Sequence, residues 1–102
     1  MNQTTAVFTL KLATMLRAGS APASAIEALA SENSPEGMTA KVLTERLHEG
    51  MTPASALAAE NSPAWKLIAA AWHLSTLSGA PISTTLERMS EALTRLDALR
   101  QR

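Results

Sequence analysis

The chain has 102 residues, 46% of them apolar, which suits one domain with a modest core and makes a second independent domain unexpected. Nine basic and nine acidic side chains cancel, so no overall field draws the molecule to nucleic acid or anionic lipid, and a charged partner must be met by a local patch. Cysteine is absent, which excludes disulfide staples, thiolate metal sites and thiol nucleophiles, and suits a reducing compartment. The longest apolar run, Leu67 to Trp72, is far short of the roughly 20 residues of a membrane helix, and the polar, neutral opening MNQTT is no signal peptide. As given, the chain is expected to be soluble.

Alanine is abundant, Tyr is missing, and Val and Ile are scarce, so helix propensity is high and strand propensity low throughout. The expected fold class is all-α. From Thr5, Phe8, Leu12, Met15 and Leu16 recur at helical spacing, and Gly19 supplies a left-handed stop, predicting a first helix over Thr5 to Ala18. Pro22 opens a second helix, whose stripe is Ala25, Ile26 and Leu29 until SENSP breaks it. After Pro35, Met38, Val42 and Leu47 mark the face of a third helix, which Gly50 stops. Thr52 is placed to cap and Pro53 to start a fourth helix carrying Leu57. Trp65, Ile68 and Trp72 follow Pro63 at helical spacing. Then come Gly79, Pro81 and a long last helix with Ile82, Leu86, Met89, Leu93, Leu96 and Leu99.

Two stretches nearly repeat each other: GSAPASAIEALASENSP from Gly19 and GMTPASALAAENSP from Gly50. A glycine recurs at Gly19, Gly50 and Gly79, each followed seven residues later by an aliphatic side chain: Ile26, Leu57 and Leu86. The repeat therefore reads as helix-turn-helix punctuation, giving three helical hairpins in a compact six-helix bundle. Ser24 and Ser55 are expected to serve close helix packing. A solenoid of tetratricopeptide type would need a 34-residue consensus that this chain lacks.

Catalytic chemistry is hard to assemble. His48 and His73, the only histidines, have no carboxylate or second histidine at metal-ligand spacing. His48 falls in the last turn of its helix, where partial protonation suits the dipole, and His73 reads as a satisfied interfacial residue. No nucleophile elbow, phosphate-cradling loop or carboxylate pair is present, so we expect no enzyme, no cofactor and no metal site. Trp65 and Trp72, seven apart, are expected in the core. The charged run Glu87, Arg88, Glu91, Arg95, Asp97, Arg100 and Arg102 reads as the solvated face of the last helix, with basic charge gathered at its C-terminal end.

The segments resemble a known family. FTLKLATMLRAGSAPASAIEAL is similar to the opening of the F domain of type II secretion and type IV pilus platform proteins, through Phe8, Leu12, Leu16, Gly19, Ala25 and Ile26. LTERLHEGMTPASALAA resembles the second element through Gly50, Ala56 and Leu57. The last segment, from AAAWHL to the end, resembles the third through Ser78, Gly79, Leu86, Met89 and Ser90. The Ala-rich SGAP turn looks most like the Flp (Tad) pilus branch. Where many members carry Gly-Glu before the Ser-Gly pair, this chain has Ser75 and Thr76, so no metal site is carried over.

The resemblance implies a single cytoplasmic domain over 1–102, excised from a longer inner-membrane protein whose flanking spans lie outside this chain. Its expected partners are a hexameric assembly ATPase, pilin subunits, and a second platform copy or paralogue, with ATPase work coupled to pilin extraction. Arg95, Arg100 and Arg102 would stand where the positive-inside rule places basic residues. Arg88, Glu91 and Arg95 are the candidate partner-binding residues, and Gly19, Gly50 and Gly79 the structural caps. The other reading is a free-standing helical adaptor. Nucleic acid is disfavoured because Lys11, Arg17, Lys41, Arg46 and Lys66 are scattered over several helices among acids.

Overall fold

The computed structural model describes residues 2–100; Met1, Gln101 and Arg102 lie outside them, and with Arg102 part of the expected C-terminal basic cluster. Six helices follow in order: α1 (Asn2–Arg17), α2 (Pro22–Ala30), α3 (Pro35–His48), α4 (Pro53–Ala58), α5 (Pro63–Ser78) and α6 (Ile82–Arg100). The all-α, six-helix expectation is met. The first helix begins three residues earlier than its apolar stripe indicated, because the polar turn before Thr5 continues the same helix.

Proline sets four of the helix starts. Pro22, Pro35, Pro53 and Pro63 each occupy the first helical position, where a missing N–H goes unmissed. The Asn-Ser-Pro string is thus the entrance to the next helix as much as the end of the last. Ser34 makes this explicit, its hydroxyl accepting the Gly37 N–H at 3.1 Å. Thr52 caps α4 as expected, accepting the Ser55 N–H at 3.1 Å.

The three glycine stops are present at positive φ: +103° at Gly19, +98° at Gly50 and +79° at Gly79. At the end of α1, the Ser20 N–H reaches the Met15 carbonyl and the Gly19 N–H the Leu16 carbonyl. The same pair of bonds closes α3, from Met51 to Arg46 and from Gly50 to Leu47. Gly79 uses the simpler single bond to the Ser75 carbonyl.

Each glycine turn joins two successive helices, while the most extensive side-by-side packing pairs α1 with α6, α2 with α3, and α4 with α5. The core gathers Phe8, Leu12, Ile26, Leu29, Leu43, Leu57, Ile68 and Leu86, all fully buried. Ile26, Leu57 and Leu86 are the three aliphatics that follow the glycines. Phe8 of α1 meets Trp65 of α5 edge to face, with ring centroids 5.0 Å apart. Trp72 is also buried, so both tryptophans are core residues.

Several expected faces are corrected. Met38 and Val42 are exposed, and α3 buries Glu36, Gly37, Ala40 and Leu43 instead. Small residues win that seam because the start of α3 lies so close to the α2–α3 turn and the end of α2 that a Cβ on Gly37 would run into the Glu32 carbonyl oxygen and crowd the Leu29 carbonyl. Leu96 and Leu99 are exposed, since the seam of α6 consists of Leu86, Ser90 and Leu93. Ser24 and Ser55 are exposed too; close packing falls to Ala25 and Ala56 beside them, and the Ser55 hydroxyl accepts from Thr52 Oγ1 at 3.0 Å. His73 is exposed on the outside of α5 rather than satisfied at an interface.

Candidate partner-binding surface

α6 owes its position to α1. Leu86 and Leu93 are buried against the core, and between them the Ser90 hydroxyl donates to the Ala6 carbonyl at 2.8 Å. Serine at that register lets the helices approach while meeting its own hydrogen-bonding need at an otherwise occupied carbonyl. Arg17, in the last turn of α1, forms an ion pair with Glu87 near the start of α6. Gln3 and Ala6 share a groove with Asp97 and Ala98 at the opposite end, so the two helices run antiparallel. Glu87, expected on the solvated face, is therefore half-buried and engaged.

With one side of α6 fixed in this way, the 100° turn per residue puts Arg88, Glu91 and Arg95 together on the outer side. All three are exposed. Arg95 Nη1 stands 4.0 Å from Glu91 Oε2, and both side chains remain well solvated. Such a pair contributes little to folding, about 0–1 kcal/mol, so the charges stay available to a partner. Arg88 makes no ion pair among the described residues. The two guanidinium-bearing residues are seven positions apart, about 10.5 Å along the axis. That spacing matches carboxylates about two helical turns apart on an opposing helix. The arrangement suits charge-assisted docking and has no nucleophile or proton-transfer pair.

Other charged groups are spent inside the bundle. Lys11 Nζ on α1 donates to Glu32 Oε1 at 2.7 Å and to Glu36 Oε1 at 2.9 Å, tying α1 to the α2–α3 junction. These hydrogen bonds, that with Glu32 foremost, raise the Lys11 pKa, and the bond from Lys11 foremost holds the Glu36 carboxyl below its usual value. Arg46 on α3 donates to Glu60 Oε2 at 2.6 Å and to the Ala56 carbonyl at 2.9 Å, clasping α4. His48, at the end of α3, lies 3.1 Å from Glu27 in an exposed contact. Sequence reasoning treated Lys11 and Arg46 as scattered surface cations, because partners 14 to 25 residues away leave no local signal.

Ser75 and Thr76, near the end of α5, both act structurally. The Ser75 hydroxyl donates to Thr85 Oγ1 at 2.8 Å, joining the end of α5 to the start of α6, and Thr76 bonds back to the Trp72 carbonyl at 3.1 Å. Among the described residues no three potential metal ligands come together. No helix among the described residues is long and apolar enough to cross a membrane.

The family described as Type II secretion system (T2SS), protein F matches residues 8–102, from the first core aromatic onward. No curated protein and no solved structure matches the chain.

Proposed function

The chain belongs to the type II secretion system protein F family, an inner-membrane component of secretion machines, and from that membership we propose that it is the cytoplasmic domain of a platform protein. In this reading it couples an assembly ATPase to pilin extraction and filament growth, within a type II secretion system or a type IV or Flp (Tad) pilus. The family match across residues 8–102 carries the proposal. The domain acts as a transmission block that makes and breaks no bonds: the Ser90–Ala6 bond and the Arg17–Glu87 pair link α6 to α1, giving a torque applied to α6 a route into the bundle.

The ATPase contact is assigned to Arg88, Glu91 and Arg95, the solvated charges of α6. The test is binding of the system's own hexameric ATPase to the wild-type protein and to the double variant Arg88→Glu/Arg95→Glu. Affinity should fall at least tenfold while the thermal midpoint stays put. Absence of binding by the wild-type protein would overturn the platform role, whereas undiminished binding by the double variant would move the contact to another face.

A further inference from the structure

An open groove of about 410 Å³ runs between α1 and α6. Ala6, Val7 and Leu10 line it from α1, and Thr94, Asp97 and Ala98 from α6. Leu10 is 51% exposed over it, although Phe8 and Leu12 beside it in the chain are fully buried. The groove exists because α6 presents short side chains here: Ser90, Thr94 and Ala98 recur every four residues, along one ridge line of the helix. Its hydroxyls are already engaged, Ser90 donating to the Ala6 carbonyl at 2.8 Å and Thr94 to the Ser90 carbonyl at 2.9 Å. Asp97 is the one charged side chain in the groove, and it meets no cation among the described residues.

Charge on α6 is sorted by side. Measured around the helix axis from Leu86, Asp97, Glu87 and Glu91 fall between about 20° and 140°, the sector that holds the groove. Arg88, Arg95 and Arg100 fall between about 180° and 320°, away from it. The first helix adds no compensating charge, because Lys11 is turned to Glu32 and Glu36 and Arg17 is held by Glu87 at the far end. A molecule with no net charge therefore carries one acidic trough with aliphatic walls.

We propose that this groove is a docking site for an amphipathic helix of another protein, one whose apolar edge carries lysine or arginine. The short row on α6 lets the incoming backbone come to the about 8–10 Å of close helix pairs, and Val7 and Leu10 receive its aliphatic side chains. The cation at its edge lays its methylene stem along Ala98 and pairs with the Asp97 carboxylate. A helix fits better than the other occupants. An extended strand would find no unpaired backbone edge, since α1 and α6 satisfy their own amides, whereas a helix brings its own satisfied backbone. A small molecule would keep much of its surface in water here, whereas pocket ligands bury about 70–90% of theirs.

Length sets the strength. From Gln3 to Leu10 the groove spans seven residues of α1, about 10.5 Å or two helical turns. Contact over that length falls well short of the about 800 Å² per partner of a stable complex, so affinity is modest and charge supplies the selectivity.

The test is an NMR titration of the isotope-labelled protein with two synthetic amidated helical peptides about three heptads long. Both have an alanine and leucine face; one carries lysine at every seventh position and the other glutamate. The lysine peptide should bind at least tenfold more tightly, with amide shifts concentrated at Val7, Leu10, Thr94 and Ala98. Its advantage should fade in 1 M salt, where the Debye length is about 3 Å. Asp97→Lys should weaken it at least tenfold, whereas Glu45→Lys, the same charge change on exposed α3, should alter it less than twofold. Ala98→Trp, which fills the groove from an exposed position, should also weaken it at least tenfold. Absence of binding, or equal binding of the two peptides, would overturn the proposal. Equal losses for Asp97→Lys and Glu45→Lys would reduce it to diffuse attraction, and indifference to Ala98→Trp would place the peptide outside the groove. Displacement of the peptide by spermidine, with the same shifts, would make the occupant a small cation rather than a helix. The docking does not depend on the platform role, so failure of ATPase binding and failure of this titration are separate results.

Discussion

Glycine plays two different parts in this chain, and substitution separates them. Around Gly19 and Gly50 the space is open, with nothing within 4 Å of an added Cβ, so Gly→Ala there costs only the left-handed backbone conformation, about 1 kcal/mol. The thermal midpoint should fall by about 4–8 °C. Gly37 has an ordinary backbone but no room, so Gly37→Ala forces the first turn of α3 away from the Glu32 carbonyl, and overpacking of this kind costs about 1–3 kcal/mol. Differential scanning calorimetry should rank Gly37→Ala below Gly50→Ala; the reverse order would mean that the α2–α3 seam yields easily. Sequence made the first part visible, because a stop glycine is a local requirement. The second was hidden, since the Glu32 carbonyl, five residues before Gly37, meets it only through the course of the intervening turn, which the residue types do not announce. The Lys11 cluster is truly non-local, with partners 21 and 25 residues away, and pH exposes it. Glu36 is held below its ordinary value of 4.5, so its stabilisation is present above that value and is lost as pH falls through the lowered one. Lys11 is raised above 10.5, so its share is present below that value and is lost as pH rises through the raised one. Lys11→Met should therefore be less stable than wild type by a constant margin between these limits. Urea titrations should show the margin closing in acid; a margin that persists at low pH would mean that the Lys11 stem, rather than its charge, matters.

Among the helices, α4 is the shortest, and six residues cannot sustain a helix unaided. Pro53 and the Thr52 cap start it, Leu57 anchors it in the core, and Arg46 holds it from α3 through the Ala56 carbonyl and Glu60. Leu57→Ala should cost about 2–5 kcal/mol and destabilise the whole domain. Arg46→Ala should cost about 1.5–3 kcal/mol and act locally, speeding amide exchange in 53–60 more than in α1. Uniform acceleration would show that α4 has no independent opening. The starts of α2 to α5 were legible because proline fixes each of them, whereas α1, which has no such signal, begins three residues before its expected start. Faces were legible where bulky residues lined the seam, as at Phe8, Leu12, Ile68 and Leu86. They were misread on α3 and at the end of α6, where Met38, Val42, Leu96 and Leu99 face outward and Leu43 and Leu93 pack beside the small residues Gly37, Ala40 and Ser90. Hydrophobicity alone cannot tell a leucine that faces the core from one that faces outward. The charged surface of α6 was readable from its spacing, whereas Glu87 was not, because its partner Arg17 is 70 residues away.

For the molecule as a whole, the edge-to-face contact of Phe8 with Trp65 ties the first helix to the fifth, so the two tryptophans report on a core shared by distant parts of the chain. Thermal transitions followed by tryptophan emission and by far-UV circular dichroism should coincide, as for a single cooperative unit. Separated midpoints would mark the α2–α3 pair as a subunit of folding despite the core it shares with the rest through Ile26, Leu29 and Leu43. The antiparallel course of α1 and α6 has a mechanical meaning as well. The start of one helix and the end of the other share a pole, beside Gln3 and Asp97, so tension entering through both ends would open the pair like a zipper, one turn at a time and at low force. A twist or push entering at the far pole, around the turn at Gly79, would load the same helices in parallel and meet the resistance of every contact between them at once. The bundle is soft to pulling from its joined ends and stiff to work delivered from the opposite side.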